Sequence, residues 1–173
     1  MFSFRLHDGN TCLGIRVRAK GAVEPKDILD ELRRRFPKLV LQIISDKAVY
    51  GDEHLKWVAR QSWLAKDRAI MLAKKVELDL LTRIAGVAQI SDALKVAGAR
   101  KDESFIILGI GEERAIGSLR SWVKREFDII RPGMAKTIPT QFSVSSNELN
   151  AVGVGKEDLL LAERGLIAIL EKY

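Results

Sequence analysis

Residues 77–98 read ELDLLTRIAGVAQISDALKVAG, and the fold turns on how this run divides. Leu78, Leu81 and Ile84, with Leu80 and Ala85 beside them, recur at helical spacing and make one broad apolar stripe. Gly86 falls just past the last periodic residue, where a left-handed backbone closes a helix without a side-chain penalty. A second, shorter helix is expected to open between Gln89 and Ser91, with Ser91 as its N-cap and Asp92 in its first turn. Ile90, Ala93, Leu94 and Ala97 form its apolar face, and Gly98 ends it. The run therefore predicts a helix, a tight corner and a short helix, with Arg83, Gln89 and Lys95 as exposed polar groups.

Upstream of this run the patterning changes twice. Phe2–Leu6 and Cys12–Val17 alternate apolar and polar residues around HDGN, which predicts a hairpin. Residues 27–36 place Ile28, Leu29, Leu32 and Phe36 at helical spacing and stop before Pro37. The basic triplet Arg33, Arg34 and Arg35 closes that helix, where it complements the macrodipole or marks an RNA contact. LVLQII, residues 39–44, reads as a buried strand. Asp52 then caps a long helix from Glu53 to about Lys66 that carries Trp57 and Trp63; each tryptophan belongs to a core or stacks on bases. Lys66, Arg68, Lys74 and Lys75 bracket the link into the opening run.

Downstream, FIIL at 105–108 predicts a strand. Ala115, Ile116, Leu119, Trp122, Val123 and Phe127 predict an amphipathic helix with Arg120, Lys124 and Arg125 on its wetter side. Residues 134–148 read as a loop with one strand near Gln141–Val144. The C-terminal segment from Leu159 to Leu170 leaves only Glu163, Arg164 and Gly165 polar, so a terminal helix must be covered on two sides, by its own domain or by a partner protein.

Composition bounds what such a chain does. A length of 173 residues suits one domain, 1–173. Hydrophobic residues make up 47% and charged ones 30%, and no apolar run is long enough to cross a bilayer. The opening residues MFSFRLHDGN lack a signal-peptide core, and a single cysteine, Cys12, forms no internal disulfide; both point to the cytoplasm. The net charge is +6 and unevenly spread. Lys and Arg number 26 against 18 Asp and Glu in residues 1–137, and 3 against 5 in residues 138–173, which together make the 29 and 23 of the whole chain. A basic body suits a polyanion, unless the charge reflects thermal adaptation instead.

Several catalytic look-alikes fail. Gly109 and Gly111 follow a strand and precede a helix, but Arg114 takes the third glycine position and Glu112 and Glu113 would repel a pyrophosphate. Gly155 and Lys156 resemble the end of a P-loop, yet Glu157 replaces the Ser or Thr and Asn150 the first Gly. The two histidines, His7 and His54, are not at metal-ligand spacing. Cys12 with His54 is a formal thiol and base, but the cysteine lies in a strand pattern that favours packing. No acid, base and nucleophile assemble, so the sequence predicts neither an enzyme nor a cofactor or metal site.

The opening run resembles the central signature of the PRPK-binding protein (TPRKB) family, the small non-catalytic subunit of the KEOPS complex. The residues that carry the resemblance are Glu77, Leu80, Leu81, Arg83, Gly86, Gln89, Ile90, Ala93, Leu94, Gly98 and Ala99. The resemblance extends over about residues 50–99, and more loosely to the GVGKEDLLLAERGLIAIL ending. It implies an α+β fold in a single domain, with a mixed, mostly antiparallel sheet, several packed helices and a helical C-terminus. It also implies two partners. A PRPK-type kinase of KEOPS binds through the C-terminal helical region. In archaeal-like members tRNA, including its single-stranded CCA end, is held while the transferase subunit makes threonylcarbamoyladenosine. Neither a membrane nor a small-molecule substrate is implied.

Single-stranded ends are gripped by cations aimed at phosphate and by surfaces that pack on bases. The candidate RNA-binding residues are accordingly Arg83, Gln89, Ile90 and Lys95 around the corner, with Lys74, Lys75 and Arg100 as outer phosphate contacts. Arg83 has an alternative in an i, i+4 pair with Asp79, and Gln89 in a hydrogen bond at a helix start. The candidate kinase contacts are Leu159, Leu166, Ile169 and Leu170. Two further readings stand beside this one: an adaptor that regulates the kinase without touching RNA, and a small enzyme using Cys12 or His54.

Overall fold

The computed structural model describes residues 1–131, 144–152 and 157–170, and within these the side chains of 146, 149, 158 and 166–170 lie outside the description. In chain order the elements are β1 (Phe2–Arg5), β2 (Thr11–Arg18), α1 (Pro25–Arg35), β3 (Val40–Ser45), α2 (Asp52–Asp67), α3 (Val76–Ala85) and α4 (Ile90–Ala97). They continue with β4 (Phe105–Gly111), α5 (Glu113–Glu126), β5 (Asp128–Ile129), α6 (Ser146–Val152) and α7 (Glu157–Leu170). The architecture is α+β, and every strand pair in its sheet is antiparallel. Backbone packing divides the chain into two units: Met1–Asp46 with Gly98–Gly133, and Lys47–Ala97 with Met134–Tyr173.

The first unit is the sheet, with strand order β1-β2-β4-β3 and β5 beside β2. At the hairpin, the Asp8 carboxylate accepts hydrogen bonds from the Asn10 backbone N–H at 3.0 Å and the Asn10 amide at 2.7 Å, and Gly9 takes a φ of +86°. Alternation in β2, β3 and β4 sends Leu13, Ile15, Leu41, Ile43 and Ile107 to one face, where Ile28 and Leu32 of α1 and Ile116, Leu119 and Trp122 of α5 close over them. The other face is buried as well, through Cys12, Gly14, Ile44, Ile106 and Leu108. Arg16 lies on that face and is buried. Arg16 donates from Nε to the Asp46 carboxylate at 2.7 Å, so a residue read from sequence as the polar side of a strand is a buried arginine paired with a partly exposed carboxylate.

The second unit is helical. Leu55, Val58, Ala59 and Trp63 of α2 and Leu80, Leu81 and Ile84 of α3 are buried, with Leu161 and Ala162 of α7. Helix α2 packs on α3 and α7, and α3 packs on α4 and α7. Each fully buried Leu or Ile contributes roughly 1.5–3 kcal/mol.

Local corrections follow from cap geometry. Asp52 is the first residue of α2 and Gly51 holds the N-cap position. Residues 134–148 are not wholly loop, because α6 begins at Ser146. Its start is a capping box: Ser145 N–H and Oγ both donate to the Glu148 carboxylate at 2.8 Å, and the Glu148 N–H returns to Ser145 Oγ at 3.3 Å. Glu148 also pairs with Arg164 of α7. Gly165, read as part of the polar face of α7, is buried. The strand expected near Gln141–Val144 and the glycine and lysine at 155–156 lie outside the described residues or give no strand within them. Trp63 is core, whereas Trp57 is partly exposed beneath the Arg60 guanidinium.

Candidate nucleic-acid interface

The corner between α3 and α4 is built by one glycine. Gly86 adopts φ +64° and ψ 32°, its N–H reaches the Arg83 carbonyl at 3.3 Å, and the Val87 N–H reaches the Thr82 carbonyl at 3.2 Å. These bonds satisfy the last carbonyls of α3 and turn the chain sharply. The Gln89 carbonyl then accepts the Ala93 N–H at 2.9 Å, so α4 starts at Ile90. Ser91 therefore sits inside the first turn and is not the cap, since Gln89 already occupies the residue before the helix.

Beneath the corner lies the ion pair of Arg83 with Asp79 that sequence spacing offered as the alternative for Arg83, and it is buried. Arg83 donates from Nε to Asp79 at 2.7 Å and from a terminal nitrogen at 3.4 Å, with side chains 5% and 0% exposed. The Leu72 backbone N–H adds a third bond to the same carboxylate at 2.6 Å, and Thr82 Oγ1 donates to the Asp79 carbonyl at 2.8 Å. The expectation of an exposed Arg83 is thus corrected. A buried carboxylate needs a cation, and Arg83, one helical turn on, is held to it by geometry. The bond to Leu72 also ties the segment before α3, which carries Lys74 and Lys75, to the helix.

The remaining corner residues reach solvent. Gln89, Ile90, Ser91 and Lys95 are exposed, and Lys95 contacts Asp92 at 2.9 Å in a surface pair. The apolar face expected for α4 divides: Ala93 and Ala97 are buried, while Ile90 is 37% and Leu94 52% exposed. Ile90 and Leu94 stand four residues apart, so they share one solvent-facing stripe. Leu94 is a candidate contact that sequence reading assigned to the core, because an eight-residue helix has too few turns for periodicity to separate a core face from an exposed one.

Lys74 and Lys75 are exposed at the N-terminal end of α3, about 15 Å of helix from Gly86. Arg100 is exposed in the sheet unit, on the wall of a cleft of about 340 Å³ that also meets Arg18, Asp102 and Glu103. Of the kinase candidates, Leu159 is partly buried on α7, and the side chains of Leu166, Ile169 and Leu170 lie outside the described residues. His54 is fully buried and accepts the Tyr50 N–H on Nδ1 at 3.3 Å; Cys12 is fully buried and His7 exposed. His54 belongs to the helical unit, and Cys12 and His7 to the sheet unit. Among the described residues no group of three or more His, Cys, Asp and Glu is placed to hold a metal, and no helix is long and apolar enough to cross a membrane.

A 51-residue stretch of the chain is 43% identical to the KEOPS complex subunit Cgi121 of Pyrococcus abyssi, covering 30% of this chain and 29% of that protein. The chain thus spans less than a third of the length of the relative it matches. This similarity agrees with the KEOPS resemblance of the corner signature. No protein-family profile matches the sequence.

Proposed function

We propose that this protein is a non-catalytic KEOPS subunit of the cytoplasm, which presents tRNA for threonylcarbamoyladenosine modification and binds the PRPK-type kinase. Its partial similarity to Cgi121 supports membership of the complex. The observation that carries the RNA half is the solvent-facing pair Ile90 and Leu94, flanked by Gln89 and Lys95. Apolar side chains pack against the faces of unstacked bases, an amide reads their edges, and a lysine meets phosphate. A single-stranded end such as CCA offers all three. Lys74 and Lys75 act as outer phosphate contacts of the corner, and Arg100 is a phosphate contact of the sheet unit taken by itself. Arg83 acts as a positioning residue, holding α3 and the segment at Leu72 through Asp79. The kinase docks on α7 through Leu159, Leu166, Ile169 and Leu170.

The test compares intact tRNA with tRNA lacking CCA by gel shift, using wild type and the Ile90→Asp, Leu94→Asp double variant. Intact tRNA should bind at least about tenfold more tightly than the truncated form, and the double variant should lose that difference. Equal binding of the two tRNAs by the wild type overturns the CCA reading. Capture of the kinase by a chain with no tRNA affinity at all replaces it with the adaptor reading.

A further inference from the structure

The sheet unit holds a cleft of about 340 Å³ whose two walls come from separate stretches of the chain. One wall is the end of β2 at Arg18, with the turn through Gly21, Ala22 and Val23 into Pro25, the first residue of α1. The other is residues 100–103, where Arg100, Asp102 and Glu103 line the cleft. Strand register joins the walls at one end, because Val17, next to Arg18, pairs with Phe105 of β4, which lines the cleft and is 1% exposed. An ion pair joins them again, from Lys101 Nζ to the Glu24 carboxylate at 3.3 Å. The cleft is therefore formed before any ligand arrives.

Two of its charges are spare. Among the described residues, the Arg18 guanidinium and the Asp102 carboxylate take part in no hydrogen bond or ion pair, while Arg100 and Glu103 have interactions of their own within the protein. Asp102 also sits in a backbone conformation made for another residue. Its φ is +63°, which glycine adopts freely and which aspartate tolerates when its side chain bonds to the nearby chain. No such bond compensates Asp102. A strained residue that lines a cleft beside a spare guanidinium, with its own carboxylate unbonded, points to a ligand.

We propose that this cleft takes a single ribonucleotide, with Arg18 and Arg100 on its phosphate and the Asp102 carboxylate on its ribose 2′-hydroxyl. RNA as the source rests on the function proposed above, in which Arg100 meets phosphate; a free mononucleotide carries the same chemistry. Guanidinium groups match phosphate through paired N–H donors. A carboxylate accepts from a ribose hydroxyl and repels a second phosphate, so Asp102 and Glu103 suit one nucleotide rather than a run of backbone. Val23, 41% exposed, and the Pro25 ring offer the sugar and base an apolar wall. The volume lies at the lower end of the range for small-ligand clefts, about 300–1,000 Å³, which fits a ligand of this size. The 2′-hydroxyl is the group by which a protein tells RNA from DNA, so the unbonded carboxylate predicts a preference for ribose.

The experiment titrates the full chain with adenosine 5′-monophosphate, its 2′-deoxy form, a short RNA and L-valine, following the backbone amides of Gly21 and Val23 by NMR. The variants are Asp102→Gly, which keeps the left-handed turn without the carboxylate, and Arg18→Gln. The ribonucleotide should shift these amides and bind at least about tenfold more tightly than the deoxy form. Asp102→Gly should remove that preference, and Arg18→Gln should weaken both nucleotides together. The short RNA moving the same amides assigns the cleft to RNA, and the mononucleotide alone doing so assigns it to a free nucleotide. Equal binding of the two sugars by the wild type, an undiminished ribose preference in Asp102→Gly, nucleotide binding unchanged in Arg18→Gln, or no nucleotide binding at all overturns the proposal. Valine shifting these amides where the nucleotides do not overturns it in favour of an amino-acid site. Full-length tRNA that still binds through CCA, while no nucleotide moves these amides, condemns the cleft and leaves the corner standing.

Discussion

Replacing Arg83 with alanine tests the support beneath the corner directly. The Asp79 carboxylate is fully buried and receives two N–H donors from Arg83 at 2.7 and 3.4 Å and one from Leu72 at 2.6 Å. Alanine removes the compensating charge and leaves the carboxylate desolvated with the Leu72 N–H. Breaking a buried pair in this way costs about 3–5 kcal/mol. The same spacing on an exposed helix contributes only about 0.3–0.5 kcal/mol. In urea, where such chains lose about 1–3 kcal/mol per molar, the midpoint should fall by at least about 1 M. Asp79→Leu with Arg83→Met should recover most of that loss, since no charge is then left buried, and the cycle of single and double variants isolates the coupling. A fall of only about 0.2 M in Arg83→Ala would refute the buried pair. The double variant also separates two roles for Arg83. Retained tRNA binding assigns it to support, and lost binding with stability intact makes the guanidinium a direct contact.

Two further variants probe the local geometry. Gly86→Ala places a Cβ at φ +64° and should cost about 1–2 kcal/mol in thermal or urea unfolding, with the change absent if the corner opens by another route. Ser145→Ala removes the capping oxygen of α6 and should destabilise by about 1 kcal/mol, read as lost amide protection over Ser146–Val152; unchanged hydrogen exchange there would contradict the capping box.

Most of the secondary structure was legible because period and punctuation agreed. The hairpin at Asp8–Asn10, the helix ending before Pro37 and the stop at Gly86 each coupled a hydrophobic period to a residue whose backbone preference closes the element. Helix α6 was missed although Ser145 and Glu148 spell its capping box, since the segment has no apolar period to draw attention to it. At the site, Gln89 and Lys95 were read as exposed and are so, whereas Arg83, read as exposed, is buried and Ile90, read as part of the apolar face, reaches solvent.

The sequence alone determined the corner at Gly86 and the separation of a basic body from a weakly acidic tail, because these follow from local spacing and composition, while the α+β class was implied by the family resemblance. Tertiary structure decided the state of each charge and each apolar side chain on a short helix. Arg16 and Arg83 are indistinguishable from surface arginines in one dimension, yet both are buried against carboxylates, while Leu94 is apolar and faces water. Burial is set by which elements come to lie on a face, and a residue's neighbours in space are fixed by packing that spacing along the chain does not encode.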